Sequence, residues 1–143
     1  MLVRFTSDGS ITAPGWEAAY SSTLIGDCID ETFTAETGSV DDNSGALDYK
    51  NNADCYKLIQ PVNADSIVLT FTSFNTESGN DVVNIYDGTT IGSTLIGSYS
   101  GSTLPSDVVA YSGSMLIRFT TNATVTSTGW SADYVSYGTY QGP

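Results

Sequence analysis

The chain has 143 residues, and its sixteen carboxylates outweigh four basic residues, with no histidine, to give a formal charge of −12. That balance excludes nucleic acid as a partner, because nothing here neutralises a run of phosphates. It also sets the chain against anionic membrane surfaces, and no apolar run approaches the roughly 18 residues of a membrane span. Cations are the natural partners of such a surface, as metal ions or as basic protein patches.

The 40% apolar and 11% aromatic residues suffice for a core within one domain, or one domain plus an appendage. Val, Ile, Tyr, Phe, Trp, Ser and Thr dominate, a mixture that suits half-buried strands. Fourteen Gly and four Pro supply turns. The fold class is all-β.

The N-terminal segment is half of an internal repeat. Residues 1–22, MLVRFTSDGSITAPGWEAAYSS, match residues 115–136, MLIRFTTNATVTSTGWSADYVS, at eleven of 22 positions without a gap. Both read as a strand ending in Arg-Phe-Thr, a polar loop, Gly-Trp, and an Ala…Tyr strand. If residues 115–136 close a domain, residues 1–22 are the last two strands of a preceding copy. The parent is then a tandem array with a spacing of 114 residues, and Pro143 is a truncation point. Alternatively the segment is a free-standing hairpin, which is marginal in water and carries unpaired edges. Either way Arg4, Phe5, Trp16 and Tyr20 are candidate assembly residues, since their own domain offers them no core.

Cys28 and Cys55 follow. A pair of cysteines in a Ser/Thr-rich, Lys-poor β protein reads as a disulfide in an oxidising, extracellular setting, contributing roughly 3–3.5 kcal/mol. Weaker strands are expected around 32–35 and 38–41, then stronger ones near 56–60, 66–73, 81–86, 95–99, 107–111, 115–120 and 129–135. Turns at Asp87-Gly88, Ser100-Gly101, Leu104-Pro105 and Ser112-Gly113 space them as in a sandwich or jelly roll. Residues 138–143 read as a linker or tail.

Residues 28–136 resemble a CUB domain, the extracellular β-sandwich of complement proteases, tolloid-type metalloproteases and spermadhesins. The matching pieces come in the family's order: Cys28 and Cys55, with Tyr49 six residues before the second cysteine; IVLTFTSF; Glu77; DVVNIYDG; LIGSYSG; and LPSDVVAYSGSMLIRFTTNATVTSTGW, with Gly129-Trp130 at the Gly-aromatic position. The resemblance implies a jelly-roll-like two-sheet sandwich over 23–137, preceded by the two-strand segment 1–22. The family's second disulfide is missing: Ser100 stands where one cysteine would be, and the Glu77–Asp81 loop is shortened past the other.

The resemblance also implies a calcium site. Calcium-binding members use a Glu, two Asp, backbone carbonyls and a supporting Tyr, which fall here on Tyr49, Glu77, Asp81 and Asn122. Asn122 replaces an Asp, so the site loses a negative charge while keeping a hard oxygen ligand. The N-terminal copy has Asp8 at that position. Asn122-Ala123-Thr124 is also a glycosylation sequon, and a sugar on that amide would compete with metal.

Catalysis is not expected. Without histidine there is no His-based triad or base, the cysteines are paired, and zinc lacks its preferred ligands. Glu77 and Asp81 bracket a short loop with no aromatic-lined groove beside it, unlike a glycosidase pair. Two binding roles remain. One is a structural or adhesive module of a tandem-repeat surface protein or filament, assembling head to tail with neighbouring copies by strand addition. The other is a soluble module, Ca-dependent where that site is filled and appended to a secreted enzyme, that binds a basic protein ligand or a glycan through Tyr49, Glu77, Asn80, Asp81 and Asn122.

Overall fold

Alternation along the MLIRFT stretch governs how the core forms. Met115, Ile117 and Phe119 are fully buried, while Arg118 and Thr120 stand half-buried on the opposite face, the period-two pattern of a strand with one face on the core. The computed structural model describes residues 1–20 and 26–139, and nine strands lie among them: β1 (Glu31–Phe33), β2 (Thr37–Asp41), β3 (Asp54–Ile59), β4 (Ser66–Asn75), β5 (Val82–Asp87), β6 (Thr94–Tyr99), β7 (Val108–Ala110), β8 (Met115–Thr120) and β9 (Gly129–Tyr137).

They form two sheets, ordered β1-β3-β8-β5-β6 and β2-β9-β4-β7. All pairings are antiparallel except β1 with β3. β8 lies between β3 and β5 in one sheet, and β9 between β2 and β4 in the other, so each closing strand is hydrogen-bonded along both sides. The core between the sheets includes Ile67, Leu69, Phe71, Val83, Ile85, Ile117, Phe119 and Trp130. On β4 the inward residues run 67, 69, 71 and then 74, because a register shift between Phe71 and Ser73 moves the pattern by one residue.

Two buried polar groups fix the joints. Lys57 is fully buried on β3, in phase with Cys55 and Ile59. Its ammonium donates to the Ile29 carbonyl and Glu31 Oε1, each at 2.6 Å, and to Asn43 Oδ1. Three donors thus meet three acceptors, the condition under which a charge can be buried. Asp42 is buried at the start of the β9 side, where its Oδ2 accepts the Trp130 N–H at 2.7 Å and its Oδ1 the Ser44 N–H at 2.9 Å. Residue 129 has to be glycine for this contact. Its φ is +84°, and a Cβ there would lie 1.6 Å from Asp42 Oδ2.

The expected strands are present, including the weaker pair, which are β1 and β2. The N-terminal segment and its repeat differ in structure. Residues 1–20 contain no strand and are exposed throughout, because a strand needs a ladder partner and none reaches them. The counterparts of that segment, β8 and β9, do not pair with each other but enter different sheets, so the repeated unit is a corner and not a hairpin. The tail is also held further than expected: Asp65 N–H donates to the Tyr137 carbonyl and Thr139 Oγ1 to Asp65 Oδ2. Residues 140–143, including the expected truncation at Pro143, and residues 21–25 lie outside the described residues.

Gly129→Ala should therefore destabilise the domain by about 3 kcal/mol or more, through strain at positive φ and the displaced Asp42 carboxylate. Urea unfolding checks this, and an unchanged midpoint would contradict the geometry.

Candidate functional site

Three loops meet at one end of the sandwich: the approach to β3, the β4–β5 loop and the β8–β9 corner. Tyr49 is carried in by the first, with its N–H on the Ser127 carbonyl at 3.1 Å and its ring edge-on to Phe119 at 5.1 Å. Glu77 lies two residues past β4, Asp81 immediately precedes β5, and Asn122 lies two residues past β8. The four residues expected from sequence are thus brought together.

The Tyr49 hydroxyl donates to Asp81 Oδ2 at 2.6 Å and accepts the Glu77 N–H at 3.0 Å. Asp81, fully buried, accepts the Asn122 N–H on Oδ1 at 2.9 Å. The Glu77 carbonyl accepts the N–H of Asp81 at 3.0 Å and of Asn80 at 3.2 Å, and Thr76 Oγ1 donates to the Asp81 carbonyl at 2.8 Å. Asn122 turns its side-chain oxygen onto the Thr124 N–H at 3.1 Å, while its carbonyl accepts the Asn52 N–H at 2.8 Å. Burial, reinforced by the hydrogen bond to Asp81, pushes the Tyr49 hydroxyl up to about 12.

One atom in the cluster is unanswered. Glu77 Oε2 is buried without a hydrogen-bond partner, which costs free energy unless something else satisfies it. None of the three ion pairs among the described residues, Lys50–Asp27, Lys57–Glu31 and Arg118–Asp54, reaches Glu77 or Asp81. Two carboxylates, one with an unpartnered oxygen, fit a hard cation. The donor set is nevertheless short of acid: no three Asp, Glu, His or Cys side chains converge as a metal site among the described residues. Asn122 stands where the CUB resemblance implies an Asp, with its side-chain oxygen on the Thr124 N–H.

Cys28 and Cys55 are bonded, with Cα atoms 5.7 Å apart. Where the family's second disulfide would lie, hydrogen bonds take over. Ser100 Oγ accepts the Gly79 N–H at 2.9 Å, the Thr76 N–H donates to the Gly101 carbonyl at 2.9 Å, and the Gly101 N–H donates to Thr76 Oγ1 at 3.1 Å. Thr76 escapes a reading of the sequence altogether. Lys57 was findable, since alternation along DCYKLI places it in the inward phase. Arg118, besides its bidentate bonds to Asp54 at 2.8 and 2.9 Å, stacks over Tyr56. Its guanidinium holds the Asp54 carboxyl below the usual range.

Of the assembly candidates, Phe5, Trp16 and Tyr20 are exposed, and so is Arg4. Phe5 and Trp16 approach each other, with ring centroids 6.4 Å apart.

The CUB domain family matches residues 28–134. Pig (Sus scrofa) cubilin is 32% identical over an alignment covering 100% of this chain and 4% of cubilin. Exoskeleton protein RP43 of Riftia pachyptila is 28% identical over 95% of the chain and 32% of its own length. The chain therefore spans only a small part of these relatives. Among solved structures, the Ca²⁺-bound CUB2 domain of MASP-1 superposes with a TM-score of 0.65 at 22% identity, over 73% of this chain and 96% of that one.

Tyr49→Phe should leave Asp81 Oδ2 and the Glu77 N–H unpaired, a loss of about 1–3 kcal/mol. Because the folded chain keeps the Tyr49 proton beyond the ordinary value of about 10, its contribution is full below that pH and is lost as pH rises toward about 12. An alkaline unfolding series on the two proteins checks both points: the difference between them should shrink over that interval.

Proposed function

The chain belongs to the CUB domain family, and on that premise we propose that it is a non-catalytic structural or adhesive module of a tandem-repeat surface protein or filament, joined head to tail to neighbours of its own kind by strand complementation. CUB domains are extracellular or cell-surface modules and generally not catalytic, and the chain is extracellular or cell-surface with them. The observation carrying the proposal is the repeat of the closing corner at residues 1–22. Two likenesses support it. The alignment with cubilin runs over the whole chain, residues 1–27 included, although the family match begins at residue 28. RP43 is by name an exoskeleton protein.

The loop end is proposed as a calcium site. Glu77 and Asp81 supply the charge, Tyr49 orients Asp81, and Asn122 adds an amide oxygen once it leaves Thr124. When bound, the ion would neutralise the two carboxylates and stiffen three loops against a partner's Lys or Arg. A glycan on Asn122 would occupy the same amide and exclude that arrangement.

A second reading, a soluble protein- or glycan-binding module, is favoured by one feature of the five-stranded sheet. Its outer face carries a cross-strand row of Thr32, Leu58, Leu116, Tyr86 and Leu95. A cleft of about 490 Å³ lies there, bounded by Asp30, Tyr56 and Ile91.

Adding Ca²⁺ at ten times Kd should raise stability by about 1.4 kcal/mol, a rise in Tm of about 5 °C. Glu77→Gln should abolish the rise, and Asn122→Asp should tighten binding about ten-fold. Equal midpoints with Ca²⁺ and with chelator would remove the site. For assembly, sedimentation of the full chain should reveal concentration-dependent oligomers that disappear when residues 1–22 are deleted. Oligomers that survive the deletion would end the strand-complementation reading.

A further inference from the structure

The two copies of the closing corner share two local contacts as well as much of their sequence. In the domain, the corner's inward residues are Met115, Ile117, Phe119, Trp130, Ala132 and Tyr134, all buried. Their counterparts are Met1, Val3, Phe5, Trp16, Ala18 and Tyr20, five of the six identical and the sixth a Val/Ile exchange. Such residues belong in a core, yet here Phe5 is 65% exposed, Trp16 54% and Tyr20 87%.

Two local contacts recur, although residues 1–20 form no strand. Asn122 Oδ1 accepts the Thr124 N–H at 3.1 Å, and Asp8 Oδ1 accepts the Ser10 N–H at 3.1 Å. Phe119 and Trp130 lie 6.3 Å apart between centroids, and Phe5 and Trp16 lie 6.4 Å apart. Residues 5–16 curl round a cavity of about 440 Å³ that Phe5 and Trp16 help to line. Within the domain, the faces of that aromatic pair are met by two other rings: Tyr49 stands 5.1 Å from Phe119, and Phe71 stands 6.0 Å from Trp130.

We propose that residues 1–20 are a closing corner that takes up its strands on seating in a seven-stranded CUB-type shell equivalent to β1–β7, belonging to a neighbouring repeat. This rests on the tandem-repeat reading and specifies its joint. The shell supplies four groups, each inferred from what meets the second copy. A tyrosine and a phenylalanine enter the cleft beside Phe5 and Trp16, as Tyr49 and Phe71 do beside Phe119 and Trp130. A buried carboxylate like Asp42 caps the Trp16 N–H, which is why Gly15 repeats Gly129. A surface carboxylate like Asp54 pairs with Arg4, as Arg118 does across β3 and β8. The corner enters both sheets at central positions, so it completes an unfinished sandwich; it does not lengthen a finished one at an edge.

The test is interchange. In the full chain, residues 115–136 are replaced by the sequence of residues 1–22. The product should unfold cooperatively with a midpoint within about 10 °C of the native chain. The same replacement carrying Phe5→Asp in the inserted copy should not fold. A second arm guards against failure caused by outward residues alone. A fluorescent peptide of residues 1–22 should bind the full chain carrying Phe119→Ala, whose own corner is loosened, and the peptide with Phe5→Asp should not. Loss of folding in the swap together with no peptide binding overturns the inference, as does equal behaviour of the Phe5→Asp versions. If the swap folds but the native chain never assembles, the fit of the corner stands and the array falls. If the native chain assembles through residues 1–22 while both arms fail, the array stands and this joint is wrong.

Discussion

The fold depends on one constraint: the last two strands are neighbours in sequence but central strands of opposite sheets. Because β8 is flanked by β3 and β5, and β9 by β2 and β4, neither sheet is continuous until the corner between them is in place. The corner is correspondingly well tied. Its Thr121 side chain donates to the Lys50 carbonyl at 2.7 Å and accepts the Ala53 N–H at 2.8 Å, and its Ser127 carbonyl holds the Tyr49 N–H. At its far end the buried Asp42 carboxylate caps Trp130 in the space that only a glycine at 129 leaves open. These are charge-assisted or doubly used bonds, the kind whose loss costs most when one partner remains buried.

The same corner forms the floor of the candidate site, so the proposed ion binding would be coupled to folding. Asn122 donates its N–H to Asp81 and accepts from Asn52 with its carbonyl, so the residue that would be a ligand is first a structural hinge between β8 and the loops. Tyr49 joins the site to the core in a similar way, with its ring on Phe119 and its hydroxyl between Glu77 and Asp81. A charge introduced among these groups is felt by both sheets.

Much of this was legible in the sequence because the dominant signals were periodic. Alternation in SIVLTFTSF, DVVNIY and MLIRFT placed the strands, and the ordered pieces from Cys28 to Trp130 placed the site residues Tyr49, Glu77, Asp81 and Asn122 together. What escaped was everything that depends on a long-range partner. Gly129 announced a close backbone approach, but nothing near it named Asp42, 87 residues earlier, as the group approaching. Alternation puts Lys57 in the inward phase, but only the fold names Ile29, Glu31 and Asn43 as the groups that enclose it. The repeat at 1–22 is legible as matched sequence, while the placing of β8 and β9 in separate sheets is not, since a Gly-containing loop between two apolar runs reads locally as a hairpin.

The missing second disulfide bears on how the site works. A covalent link there would restrain the Glu77–Asp81 loop whatever its charge state. Here the restraint is the Ser100–Gly79 bond and the paired bonds between Thr76 and Gly101, each contributing on the order of 1 kcal/mol against the several that a disulfide provides. The loop that carries two negative charges and an unpartnered Glu77 oxygen is therefore the most weakly held part of an otherwise well-tied end. A cation bound as proposed would gain most where the backbone is least constrained, because it would do the ordering that a cross-link would have done in advance. If the proposed calcium site fills, the cation and a second disulfide would be alternative ways to stiffen the same loop.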